Sequence, residues 1–427
     1  MTARRFLPIH ALALAGAAAG LCLASAPAAG QTVLSDYESS DAAQKVRDNA
    51  VWRLAFRPTM QVLEQTVATL RKGVPVSAAQ AQELDALTAL AKSQGEPEAR
   101  RSLWHAASIL LGKSWNPAEE LVGSLALRTP LPVVTGTKAQ VQLQPAYPTG
   151  AVAGATYRLD LVAAQPTSSA TPQRGAVVRQ LAAGKVTGKA QTVAIDLKGV
   201  TDVFYILVAT IEAPGGARGE IAGSFYVVPG LAGRRAALEQ KLKGSSGHEA
   251  ARATALYPFA LADALNAGTR EVISYDFKAA LARSEQIAAA LARGEDPVER
   301  ATGLQNRAYR FAETGELVPY QVYVPKGWTP ARKWPLVVAL HGANLDETNM
   351  LGRAGGQMQK LAEERGFVVV APLGYRINSV YGSQRGIGRA LGIDGDRVRR
   401  SEADVLAVTD IVSAEYAIDP DRTYLTG

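Results

Sequence analysis

The chain has very little of two residue types on which much protein chemistry depends. Its 427 residues include one cysteine and four histidines. A single cysteine, Cys22, excludes a disulfide framework and a cysteine-based zinc site. Any chemistry that needs an imidazole must therefore use one of the four histidines, which are His10, His105, His248 and His341.

Long blocks of like charge are also absent. The chain has 46 Lys+Arg against 39 Asp+Glu, a net charge of +7, and the basic residues are dispersed. We therefore expect no nucleic-acid partner. With 47% apolar and 20% charged residues, the composition excludes a disordered chain, a collagen-like chain and a coiled coil.

The first thirty residues, 1–30, have the pattern of a secretory signal peptide. Two arginines precede an apolar stretch over 12–23, and small residues follow it. That stretch is too short to span a bilayer comfortably, and Cys22 follows Leu21, where a lipoprotein signal has a small residue. We therefore expect an exported protein, periplasmic or secreted, whose mature chain begins near Gln31 and has no stable membrane span.

The spacing of apolar residues divides the remainder into four segments. Helical spacing predominates in 31–127 and again in 230–301. Between them, 128–229 has short alternating runs separated by Pro and Gly, which is typical of an immunoglobulin-like β-sandwich. In 302–427, apolar strands alternate with helices, which predicts a parallel α/β sheet. The predicted fold class is thus multidomain: a helical region, a β-sandwich, a second helical region and an α/β domain.

Two histidines could suggest a metal ligand, but other interpretations suit them better. His105 follows Trp104 in an apolar helical pattern, which favours packing. His248 and Glu249 begin like a zinc-protease motif, which needs a second His at the fifth position, where Arg252 stands. The chain has neither a P-loop nor a dinucleotide fingerprint, so we predict no metal and no cofactor.

The last segment contains two continuous apolar runs, over 335–340 and 367–371, which are the mark of strands buried on both faces. A third buried strand is predicted to begin over 423–426. An antiparallel hairpin, with strands over 307–311 and 318–324, is predicted before them.

Two helices are predicted between these three strands. The first covers roughly 356–365. The second opens at Ser401, which forms a capping box with Asp404. A turn over 419–422 precedes the last strand.

The run from Tyr320 to Gly427 resembles the α/β-hydrolase superfamily, in its exported esterase and predicted-peptidase branch, near polyhydroxybutyrate depolymerases and prolyl-oligopeptidase-like hydrolases. The resemblance covers about a quarter of the chain. It rests on the order and spacing of four pieces, 320–325, 335–342, 365–372 and 418–427. It implies an incomplete α/β-hydrolase domain over 302–427 and a serine hydrolase that cleaves a carboxylic ester or peptide bond through an acyl-enzyme.

The resemblance also implies where the catalytic groups lie. In that family, the strand ending at Thr426 leads into the nucleophile elbow G-x-S-x-G, whose first glycine is matched by Gly427. The serine would come two residues later, followed by the acid and the histidine. We therefore expect this sequence to be a fragment without its triad, and inactive by itself.

Half of an oxyanion hole is implied at the other strand end. The resemblance assigns one N–H donor to Ala343, a turn to Gly342, and a bracing role, not that of the base, to His341.

The loop over 374–400 is expected to line the cleft for a small-molecule ester or peptide substrate. We assign substrate contacts to Tyr381 in this loop and to Asn344. The arginines of the loop fit an anionic substrate, but a solvated loop with ordinary salt bridges is the favoured interpretation. The alternative function is a non-catalytic cell-surface binding or scaffold protein that uses the β-sandwich; a serine downstream would distinguish the two.

Overall fold

A computed structural model describes residues 36–129, 131–165, 171–342, 345–378, 380–381 and 395–427. The predicted signal peptide lies outside these residues. Within them, no helix combines the length and apolar character needed to cross a membrane.

Five helices form the first part of the described chain, in the segment predicted to be helical. Thr59 and Asn116 cap α2 and α5, and Ser77 forms a capping box with Gln80 at the start of α3. Buried leucines and Trp104 form the core of the first four helices, whereas the buried residues of α5 belong to the core of the sheets that follow. The bounds are α1 Asp36–Ala55, α2 Met60–Gly73, α3 Ala78–Ser93, α4 Glu96–Leu110 and α5 Pro117–Ser124.

Two sheets follow and pack on one apolar core. One has the order β1-β3-β6 and the other the order β2-β8-β7-β4-β5. β1 pairs antiparallel with β3 although it begins at Leu125, before the predicted boundary at residue 128. The bounds are β1 Leu125–Arg128, β2 Val133–Val134, β3 Lys138–Pro145, β4 Thr156–Gln165, β5 Gln173–Lys185, β6 Gln191–Asp196, β7 Val203–Glu212 and β8 Arg218–Val227.

Three helices connect these sheets to the last domain. They are α6 Leu231–Leu242, α7 Glu249–Asn266 and α8 Phe277–Leu291. Their apolar core includes Ala308 and Leu317 of the final sheet, so the helices pack directly against that sheet. The segment is therefore a wall of the last domain and not a free linker.

The last sheet is mixed, with the order β13-β11-β12-β10-β9. β9 and β10 form the antiparallel hairpin expected from the sequence, and β11 is parallel to both β12 and β13. The core on one face includes Val408 and Val412 of α10, and the core on the other includes Leu351 and Ala362 of α9. The bounds are β9 Gly303–Arg310, β10 Leu317–Val324, β11 Trp334–Ala339, α9 Thr348–Arg365, β12 Val368–Pro372, α10 Gly395–Glu415 and β13 Ile418–Thr426.

Three details of this domain differ from the sequence prediction. Ser401 is inside α10 and fully buried, where its hydroxyl donates to the carbonyls of Gly374 and Arg397 at 2.9 and 3.1 Å. It therefore does not cap a helix. Helix α9 begins earlier than predicted because a non-helical kink over 353–356 joins two helical pieces. The predicted turn over 419–422 is an irregularity within β13, between its pairs with Trp334 and Leu336.

Candidate active site

The connections of the last sheet reverse direction at β11. From β11 the chain passes through α9 to β12 on one side, and then through α10 to β13 on the other side of β11. In parallel α/β sheets, ligands bind outside the carboxyl ends of the strands at such a switch point. The segment that leaves β11 there is Leu340-His341-Gly342.

The carboxyl ends of β11 and β13 lie side by side at this edge. The backbone N–H of Leu340 donates to the carbonyl of Thr426 at 2.8 Å. A Cβ placed on Gly427 would lie 3.1 Å from the carbonyl oxygen of Leu340, so only a small residue fits there without movement.

His341 joins the ends of β11 and β12. It is 5% exposed, its Nε2 lies 2.7 Å from the carbonyl oxygen of Leu373, and its Nδ1 lies 2.8 Å from that of Gly342. The ring of Tyr381 stands edge-on to the imidazole, with centroids 5.7 Å apart. Because carbonyl oxygens only accept hydrogen bonds, the ring bonds to the backbone through whichever nitrogen carries a proton, and each nitrogen faces a carbonyl oxygen. This geometry suits a brace and leaves neither nitrogen directed at a serine.

Replacing His341 with glutamine should therefore cost stability. The carbonyl of Leu373 would lose its short contact to the imidazole and keep only the long 3.4 Å hydrogen bond from the Tyr381 hydroxyl. A buried carbonyl left poorly satisfied costs about 1–3 kcal/mol. Urea unfolding of His341→Gln should show this loss, whereas His105→Gln, which removes a half-exposed ring stacked on Trp115, should lose less. Equal stability of His341→Gln and the unmodified chain would contradict the bracing role.

A buried carboxylate holds the loop that follows β12. Gly374 and Tyr375 both have positive φ, at +71° and +69°, and such a backbone is strained at a tyrosine. Asp404 of α10 is fully buried and accepts hydrogen bonds from the Tyr375 N–H at 2.8 Å and from the Tyr309 hydroxyl at 2.5 Å. Burial raises the pKa of Asp404 to about 6, although these donors oppose the rise. The sequence pattern predicted a helix cap at Asp404 and gave no sign of this role.

A cavity of about 430 Å³ lies between helices α7 and α8, strands β9 and β10, and the segments that follow β11 and β12. Leu373, whose carbonyl contacts His341, lines it, as do the residues just before α9. Such a volume is typical of a small-molecule site. Its lining includes Tyr257, Arg270, Tyr275, Tyr320, Asp346 and Glu347.

Three of the five predicted site residues are described. His341 and Tyr381 lie together beside Leu373. Gly342 is exposed and has no positive φ, and a Cβ there would meet only Leu345, at 3.7 Å, among the described residues, so its conformation does not require glycine. Ala343 and Asn344 lie outside the described residues.

One group of potential metal ligands occurs in the described part of the chain. The ligand atoms of His248, Asp296 and Glu299 lie within 4.8 Å of one another. Asp296 already accepts from His248 at 2.8 Å and from the N–H groups of Val298 and Glu299 at 2.8 and 2.9 Å. These bonds account for the cluster as a hydrogen-bond network that stabilises the loop.

Known proteins offer only distant similarity. No model of a protein family matches the chain, and no curated protein sequence does. A CE1 ferulic acid esterase from the anaerobic fungus Anaeromyces mucronatus is 17% identical over 29% of this chain and 47% of its own, with a TM-score of 0.22. The chain thus spans about half the length of that esterase.

Two further solved structures show the same low level of similarity. A thermostable esterase is 17% identical over 71% of this chain and 70% of its own, with a TM-score of 0.23. The soluble domain of PmoD from a Methylocystis species is 14% identical over 24% of this chain and 88% of its own, with a TM-score of 0.19. These scores establish neither a shared fold nor a shared activity.

Proposed function

We propose that this chain carries the oxyanion-loop half of an exported serine hydrolase, which cleaves a carboxylic ester or a peptide bond through an acyl-enzyme. The observation that carries the proposal is the pairing of β11 with β13 at the switch point. In α/β-hydrolases, the residue after the nucleophile and the loop of an earlier strand supply the two oxyanion donors, so their strands must end together. The contact between Leu340 and Thr426 meets this requirement.

The expected chemistry follows from that arrangement. A serine placed just beyond β13 would attack the carbonyl carbon and form a tetrahedral intermediate. Its oxyanion would lie between the N–H after the serine and an N–H of the loop that leaves His341. Removing one such donor in other hydrolases lowers turnover about a hundredfold or more. His341 would hold the loop through Leu373 and Gly342, and Asp404 would hold the adjacent turn.

A serine-directed probe tests the proposal. We expect the coding sequence to place a serine two residues beyond Gly427, and the protein that includes it to be labelled by a fluorophosphonate. The same protein with that serine changed to alanine is the matched control and should not be labelled. Absence of a serine at this position, or labelling that survives the alanine change, would favour the non-catalytic binding function.

A further inference from the structure

Two of the ionisable groups that line the cavity, Arg270 and Glu347, have no part in the proposed chemistry. Arg270 enters from the turn after α7, and Glu347 from the residue just before α9. They are close enough for the charge of Arg270 to act on the titration of Glu347. The sequence pattern did not mark either residue as part of a site.

Arg270 is a buried cation with incomplete compensation. The residue is 6% exposed, and its Nη1 donates to the carbonyl of Leu317 at 2.9 Å. Its Nη2 lies 3.2 Å from Glu316, but the same carboxylate also pairs with Arg376 at 2.9 Å. Arg270 thus shares Glu316 with Arg376. The Arg270 Nε has no hydrogen-bond partner among the described residues, so a second anion at this guanidinium would offset a real electrostatic cost.

Glu347 lines the cavity, where its surroundings favour the protonated form of its carboxyl group. Loss of water around it, with the charge of Asp346 as a second cause, raises the pKa of Glu347 to about 8, although Arg270 opposes the rise. A protonated carboxyl group can donate a hydrogen bond, which an ionised one cannot. Glu347 therefore presents a donor to the cavity where its sequence suggests an acceptor.

The other acidic groups of the lining already have partners. Asp346 accepts from Thr348, Asp276 caps α8 through Ala279, and Glu271 accepts from Asn378. The remaining walls are largely aromatic and apolar, with Tyr257, Tyr275, Pro258, Pro319, Val272 and Ile377. The cavity thus combines the guanidinium of Arg270 and the carboxyl group of Glu347 with largely aromatic and apolar walls. Arg283 and Arg307 also line it, and Arg307 is paired with Glu415.

We propose that this cavity binds a small aromatic carboxylate, with Arg270 as its charge partner and the Glu347 carboxyl group as a hydrogen-bond donor to the same ligand. That this carboxylate is a part of the substrate distant from the scissile bond rests on the proposed function. Binding itself requires no turnover. It can therefore succeed or fail independently of the serine.

The test compares three ligands of nearly the same size on the purified full chain: benzoate, benzamide and benzylamine, by calorimetry or ligand-detected NMR. We expect benzoate to bind at least tenfold more tightly than benzamide at pH 7. Arg270→Gln should weaken benzoate binding at least tenfold. Arg293→Gln is the matched control, because Arg293 is an exposed arginine just after α8 that does not line the cavity, and it should change binding less than twofold.

The pH dependence separates the role of Glu347 from that of Arg270. Between pH 7 and 9, deprotonation of Glu347 should weaken benzoate binding about tenfold, whereas Glu347→Gln should bind nearly equally at both values. The ionisable groups that act on Glu347 are Asp346, Arg270, Asp404, Tyr257, Tyr275 and Tyr381. Asp404 titrates below this range, and burial raises the pKa of each of these tyrosines, so they stay neutral within it.

Several outcomes would overturn the proposal. They are undetectable benzoate binding, equal binding of benzamide, tighter binding of benzylamine, and an equal loss of binding for Glu347→Gln at pH 9. If circular dichroism shows that Arg270→Gln does not fold, the ligand series and the Glu347→Gln profile decide the question without it.

Discussion

Replacing Arg307 with methionine should lower the free energy of unfolding of the last domain by about 3–5 kcal/mol, the usual cost of breaking one partner of a buried ion pair. The Arg307 side chain is 1% exposed and forms a bidentate pair with Glu415, at 3.0 and 3.1 Å. It also donates to the carbonyl of Val298 at 3.0 Å. One side chain thereby ties β9 to α10 and to the segment after α8. Methionine keeps much of the volume but leaves Glu415 largely buried without its cation.

Urea unfolding followed by tryptophan fluorescence would measure this loss. Trp328 is a suitable reporter because its indole N–H donates to the carbonyl of Tyr416, the neighbour of Glu415, at 3.0 Å. The double variant Arg307→Met/Glu415→Leu should recover much of the stability, since a well-packed apolar pair often replaces a buried ion pair without cost.

An exposed ion pair in the same domain is the control. Glu313 lies between Arg399 and Arg400 at 2.5 and 2.8 Å, but its side chain is 30% exposed. Glu313→Gln should cost no more than about 1 kcal/mol. A similar effect of Glu313→Gln and Arg307→Met would contradict the importance of burial here.

The strands of the last domain could be predicted from sequence because their signals are local. The valine-rich runs that became β11 and β12 are buried on both faces, and such strands are apolar at every position. Their parallel pairing follows from the helices between them. The ends of helices were harder to predict. Ser401 and Asp404 have the spacing of a capping box, yet both side chains are directed into the fold, toward the loop after β12.

The cavity could not be predicted from sequence because its walls are distant in the chain. Arg270 contacts Leu317, 47 residues later, and no local pattern marks that contact. Gly268, which follows α7 and has a φ of +67°, is a sequence signal for a turn at Arg270. The turn explains the backbone, whereas burial of the guanidinium depends on packing of α7 against the sheet. Likewise, Glu347 appears in sequence as an ordinary acid before a helix, because its raised pKa comes from tertiary surroundings.

Asp404→Asn should change how the stability of the last domain depends on pH. The pKa of Asp404 is about 6 in the folded chain, against an ordinary value of 3.8. Between these values the folded chain binds more protons than the unfolded chain, so stability falls as pH rises from about 4 to 6. A shift of about two units corresponds to roughly 3 kcal/mol at 1.36 kcal/mol per unit. This contribution is present below pH 4 and is lost above pH 6.

Asparagine cannot ionise, so the variant lacks this pH-dependent loss. The difference in unfolding free energy, variant minus unmodified chain, should therefore rise by roughly 3 kcal/mol between pH 4 and pH 7, whatever its value at pH 4. Glu347, whose pKa is also raised, titrates in both chains, and its contribution largely cancels in the difference. Tyr309→Phe is the matched control, because it removes the 2.5 Å donor to Asp404 but keeps the ionisable group, and it should keep a falling pH profile. A difference that stays constant from pH 4 to 7 would mean that Asp404 titrates normally, and that ionisation of this carboxylate carries no cost in holding the left-handed turn at Gly374 and Tyr375.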